Sequence, residues 1–241
     1  MHPVTKRRHW PRDPIAITFH GSQGTKFVVD DQFTAFIKES SRYLLAQPYL
    51  DALLPRVQQW RGAEKGAPRI FCIVYTMAKN HDTACAAQKK AWLHKCDGHM
   101  FFSTADDPDL PAVKVEHEGK EEYNNMWRKL IAIWRMTLTR WGNDFDYFIA
   151  GGEDLFVMVD NLRKILLSAD VQALNIARKG ILLGRRYMQT TLNEAPYHIV
   201  FPSGAPGYVL NRVALEKLVH GIDNNPKCKA NINVPYEDAM T

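Results

Sequence analysis

The chain has 241 residues, 46% of them hydrophobic and 24% charged, with a formal net charge of +5. That balance describes a globular protein long enough to bury a sizeable core, and it indicates neither a disordered chain nor a membrane bundle. The positive charge is modest and no stripe of Lys and Arg interleaved with stacking aromatics recurs, so nucleic acid is not an expected partner.

Residues 1–66 read as a stem or accessory segment. They hold a short basic tip, KRRH at 6–9, one helical pattern around Phe33 to Leu54, and a breaker-rich exit, RGAEKGAP at 61–68. Lys6, Arg7 and Arg8 are followed by His9 to Asp13 where an apolar stretch should begin, so no signal peptide is read. No apolar segment approaches the roughly 20 residues that a bilayer span needs. From Arg69 the pattern becomes strand, helix, strand: RIFCIVYT (69–76) and GHMFFST (98–104) flank a helix around Thr83 to Lys95. The next helix is the clearest, because Trp127, Ile131, Trp134, Leu138 and Trp141 fall on one face and predict a core stripe.

Tyr147 to Ala150 then reads as a short buried strand stopped by Gly151 and Gly152, which sets Glu153 and Asp154 at a strand's C-terminal end. A helix through Leu162 to Leu167 follows, then a strand ILLG (181–184) ending in GRRY (184–187), then YHIVF (197–201) leading into PSGAPGYVL, and a helix over Arg212 to His220. Alternation of this kind over about 170 residues predicts one α/β sandwich built on a mostly parallel sheet.

In open α/β sheets ligands bind at the C-terminal edge of the strands, and hard carboxylate oxygens there suit Mg²⁺ or Mn²⁺ bridging to a phosphate. The same pair also suits a solvated acidic turn that starts the following helix. Thr76 ends the first strand, and Lys89, Arg185 and Arg186 are cations that could balance a diphosphate together with a metal on Asp154. SGAPGY (203–208) offers small residues, Gly204 and Gly207, for close approach of a sugar, with Tyr208 available for stacking. An ordinary tight turn reads equally well there. PYED (235–238) adds Glu237 and Asp238 near the C-terminus. Cys72, Cys85, Cys96 and Cys228 match no zinc or redox spacing, and they permit two disulfides without requiring any.

Taken together, RIFCIVYT with KKAWLHKC, WRKLIAIW, FDYFIAGGEDLFVMVDNLR, LLGRRY, SGAPGYVLNRVAL and PYED resemble, in the same order, the motifs of the inverting β1,3-glycosyltransferases of the Fringe and core 1 β1,3-galactosyltransferase group. The resemblance lies closest to the core 1 branch and covers about residues 69–238. It implies a GT-A-type fold, a single Rossmann-like α/β/α sandwich, over residues 67–241, with the family's C-terminal part beyond Thr241. It also implies a UDP-sugar donor, with Mn²⁺ (or Mg²⁺) held at a D-x-D motif whose positions fall on Gly152, Glu153 and Asp154. The last carboxylate of that motif is kept and the first is replaced by glycine. By the same comparison Thr76, Lys89, Glu153, Asp154, Arg185 and Arg186 are expected on the donor side, with Asp154 and Glu153 as metal ligands. Gly204, Gly207 and Tyr208 are expected on the acceptor side, Trp127 is structural, and Asp238 is the general base with Glu237 as second choice.

The activity so implied is transfer of galactose from UDP-galactose to an O-linked GalNAc or similar acceptor on a glycoprotein. The rival readings are a non-catalytic core 1 synthase-like folding chaperone with a degenerate metal motif, and a lectin-like sugar-binding module. The resemblance further implies a Cys72–Cys96 disulfide, a partner for Cys228 beyond the end, no match for Cys85, and the Golgi lumen of the secretory pathway as location. A type II membrane anchor outside this sequence and a homodimer complete its expectations.

Overall fold

The computed structural model describes residues 16–18, 67–192, 195–228 and 231–232. Its centre is a six-stranded sheet in the order β4–β3–β2–β5–β8–β7, formed by β2 (Ile70–Tyr75), β3 (Gly98–Ser103), β4 (Ala112–Lys114), β5 (Tyr147–Gly152), β7 (Leu182–Leu192) and β8 (Ala195–Asn211). Strands β2 to β5 pair in parallel, β8 runs against β5, and β7, antiparallel to β8, returns to the common direction. The expected α/β sandwich on a mostly parallel sheet is therefore what the chain forms.

Side chains alternate across a strand, and the central strands use both faces. Ile70, Cys72, Val74, Tyr147 and Ile149 point to one side, where they meet Trp92 and Leu93, α3 (Val159–Leu166) and α4 (Ala169–Ile176). Phe71, Ile73, Phe148 and Ala150 point to the other, against α2 (Met126–Trp141) and α5 (Arg212–Asn224). The predicted stripe holds: Trp127, Ile131 and Trp134 are buried, and Leu138 and Trp141 pack against the same core.

The first crossover departs from one regular helix. Ala78–Asn80 is a 3₁₀ turn, His81–Cys85 a π turn, α1 (Ala86–Ala91) a short α-helix and Leu93–Lys95 a second 3₁₀ turn. The break at Trp92, with φ −147°, lets its indole enter the core and turns the chain so that Cys96 reaches Cys72 on β2. That disulfide, expected from the resemblance, is formed across 24 residues.

Short β4 and the helix α4 carry no strong pattern, and neither appears in the sequence reading. A short β6 (Leu155–Val157) also intervenes between the acidic turn and α3, and Ala16–Thr18 (β1) pairs antiparallel with it. The remainder of 1–66, with the helical pattern around Phe33 to Leu54, lies outside the described residues. GRRY does not end a strand, and SGAPGY is not a simple turn. β7 continues to Leu192 alongside the long β8, and the register jumps from Gly184 opposite Tyr208 to Arg185 opposite Ser203, so β8 bulges over Gly204 to Gly207. The prolines and glycines that read as a turn accommodate this bulge.

Candidate functional site

The C-terminal ends of the parallel strands form one edge. Thr76 follows β2, Ser103 ends β3, and Glu153 and Asp154 follow β5. Because Ala150 pairs with Tyr208 and Tyr208 with Gly184, Arg185 lies level with Gly151 at this same edge, as does the glycine bulge of β8. The strand register thus gathers Thr76, Glu153, Asp154, Arg185, Gly204 and Gly207 along one side of the sheet.

The acidic turn is built closely. Leu155 is buried because Gly151 and Gly207 leave it room: a Cβ on either would lie 2.2 and 2.9 Å from Leu155 Cδ2. The two carboxylates then part. Asp154 is exposed, whereas Glu153 turns toward the loop after β2, where Asn80 Nδ2 donates to its Oε1 at 2.8 Å. Burial first, and the neighbouring Asp154 charge, push the Glu153 carboxyl above the ordinary glutamate range, against the lowering effect of its own backbone N–H, the Thr76 hydroxyl and Lys129. Gln88 Nε2 donates to the carbonyls of Gly152 (3.1 Å) and Leu155 (2.6 Å), the residues that bracket the acidic pair.

Beneath the edge lies a buried polar layer. Lys129, 2% exposed, donates to the Thr76 carbonyl at 2.7 Å and to Glu121 Oε1 at 2.6 Å, and Glu121 also meets His117 Nε2 at 2.8 Å. Thr76 Oγ1 lies 3.1 Å from the Cys85 sulfur. Burial, foremost, pushes that thiol from 9.0 up to about 11, so it is no nucleophile at neutral pH. His81 lies 2.7 Å from Ser103 Oγ and 3.2 Å from Asp107 Oδ2, the partners of a hydrolytic triad, yet Ser103 is fully buried and the set serves to tie the loops after β2 and β3. Asn80 and Gln88 carry no local signal, since a lone amide in a helical stretch reads as solvated surface; Lys129 stands in the WRKLIAIW motif, but only contacts across the fold reveal that it is buried under Thr76.

Other predicted residues are placed differently. Lys89 on α1 donates to the Asp109 carbonyl, which binds it to the loop before β4. Arg185 is exposed, and Arg186 follows it on β7. Tyr208 does not face the cleft for stacking; strand alternation turns it inward, 1% exposed, with its ring 6.0 Å from that of Trp134. Glu237 and Asp238 lie outside the described residues. A cavity of about 540 Å³ lined by Arg69, Asp146, Asn175 and Arg212 lies at the opposite edge, where β2 and β5 begin, away from the acidic turn.

The donor set suits a hard divalent cation shared with a ligand. Mg²⁺-like ions are commonly held by one or two carboxylates plus substrate phosphates, and Asp154 is the exposed carboxylate of the turn. A Cβ on residue 152 would come within 2.9 Å of Asp154 Oδ1, so glycine there lets the Asp154 carboxylate lie close over the turn. Among the described residues no cluster of three His, Cys, Asp or Glu side chains could hold a metal unaided.

A six-stranded, mostly parallel sheet with helices on both faces and an acidic turn at its C-terminal edge is consistent with a GT-A-type glycosyltransferase fold. Over 155 residues the chain is 28% identical to glycoprotein-N-acetylgalactosamine 3-beta-galactosyltransferase 1 of Xenopus laevis. The aligned stretch is 64% of this chain and 39% of that protein, so the chain spans well under half of its relative's length. No family model matches the sequence. Among the described residues no helix is long and apolar enough to cross a membrane.

Proposed function

We propose that the chain is a UDP-sugar-dependent, inverting β1,3-glycosyltransferase that moves galactose from UDP-galactose to an O-linked GalNAc or similar acceptor. The observation that carries this reading is the exposed Asp154 after the C-terminal end of β5, at the same sheet edge as Arg185, in a chain similar to a 3-beta-galactosyltransferase. Asp154 and Arg185 take the diphosphate side of the donor, and Thr76 and the loop after it border the nucleotide. Asp154 would hold a divalent cation, which would supply charge neutralisation to a diphosphate leaving group. Asp238, or Glu237 beside it, takes the proton of the acceptor 3-hydroxyl as that oxygen bonds to the anomeric carbon and the bond to UDP breaks. The Cys72–Cys96 disulfide supports a secretory, oxidising location.

A second reading, a non-catalytic folding chaperone related to such enzymes, is favoured by Gly152 in place of a carboxylate and by the inward turn of Glu153. The deciding experiment measures UDP release from UDP-galactose with a GalNAc-bearing peptide. Acceptor-dependent UDP release supports the enzyme. Its absence in a folded protein that still binds UDP supports the second reading.

A further inference from the structure

We infer that the acidic pair divides its work: Glu153 is a positioning residue, and with Gln88 and Asn80 it holds the turn that presents Asp154 to the ligand. Two amides that no motif singled out converge on this turn from the segment after β2. Gln88 is 4% exposed, and its Nε2 reaches both the Gly152 and the Leu155 carbonyls. Only the amide nitrogen can face two acceptors, so the orientation is fixed, and its Oε1 is left buried with no hydrogen-bond partner. Leaving an amide oxygen so placed is costly; what it secures is a fixed span between the residues before and after Glu153 and Asp154. Asn80 fastens the same turn from its side chain, through Glu153 Oε1 at 2.8 Å. The contacts reach 64 to 73 residues along the sequence, so the acidic turn is registered to the end of β2 and not merely to its own strand.

Supporting groups around a metal ligand typically change affinity by about 10- to 100-fold when removed. The inference rests on the proposed donor site for what Asp154 presents, while the clamp itself can be judged without any ligand. Hydrogen exchange and UDP affinity with Mn²⁺ are measured on the same variants. Gln88→Met, similar in size but unable to donate, is expected to speed exchange in a peptide spanning 149–158 while β3 and α2 keep their protection. Asn80→Ala, at a partly exposed loop position, gives the same local change should the first variant fold poorly. Both lower Mn²⁺-dependent UDP affinity about tenfold. Glu153→Gln keeps an acceptor for Asn80 and retains that affinity, whereas Asp154→Asn loses it. Unchanged exchange in the turn, or faster exchange throughout the domain, overturns the clamp. Loss of metal-dependent binding in Glu153→Gln equal to that in Asp154→Asn overturns the division. If the parent chain binds no UDP, the donor-site reading and the division fall together, and the exchange data still decide whether the clamp exists.

Discussion

Gly207 carries the bulge of β8 with a φ of +71°, in the region that side-chain-bearing residues avoid. An added Cβ would meet the Ala150 carbonyl oxygen at 3.0 Å as well as Leu155 Cδ2. A backbone oxygen in a paired strand cannot give way as a side-chain tip can. Gly207→Ala is therefore expected to destabilise the fold by about 1–3 kcal/mol, read as a lower urea midpoint with an unchanged slope. An unaltered midpoint would show that the bulge relaxes freely. Gly152 differs, because its added Cβ meets the end of the Asp154 side chain, which can move. These two glycines look alike in the sequence; their different burdens come from which strand crosses behind each.

At the scale of elements, the first crossover is held by covalent as well as packing contacts. The Cys72–Cys96 bond ties the centre of β2 to the turn before β3, and the Arg163 guanidinium reaches the Lys95 carbonyl and Asp97 at 3.1 and 2.7 Å from α3. Closing a loop of 24 residues typically contributes about 3 kcal/mol. The double variant Cys72→Ala, Cys96→Ala should lose about that much stability in urea unfolding. Peptide mapping without reduction should show the link, and free thiols at both positions in secreted protein would contradict it. The strands at 70–75 and 147–152 and the stripe of α2 were readable because a buried strand and an amphipathic helix announce themselves by period. β4 and β6 have three residues each, too few for a period to register. The extent of the β7–β8 pair is not legible in the sequence, because Pro202, Gly204, Pro206 and Gly207 signal a turn locally, whereas the hairpin partner keeps the chain extended on both sides of the bulge.

For the molecule as a whole, the proposed donor site lies along the C-terminal edge of the sheet. Pattern and resemblance together place Thr76, Asp154 and Arg185 at that edge, since each follows or interrupts a recognisable strand. They could not show that Glu153 turns inward to Asn80, that Tyr208 is core, or that Lys129 lies under Thr76, because each depends on a contact between distant parts of the chain. The central claim is that Asp154 serves a metal-bridged nucleotide diphosphate at this edge. Calorimetric titration of UDP, with Mn²⁺ and then with a chelator, tests it on the parent chain and on a folded Asp154→Asn variant. The account predicts saturable UDP binding that requires Mn²⁺ and vanishes in the variant; no UDP binding, binding indifferent to the chelator, or equal affinity in Asp154→Asn would contradict it.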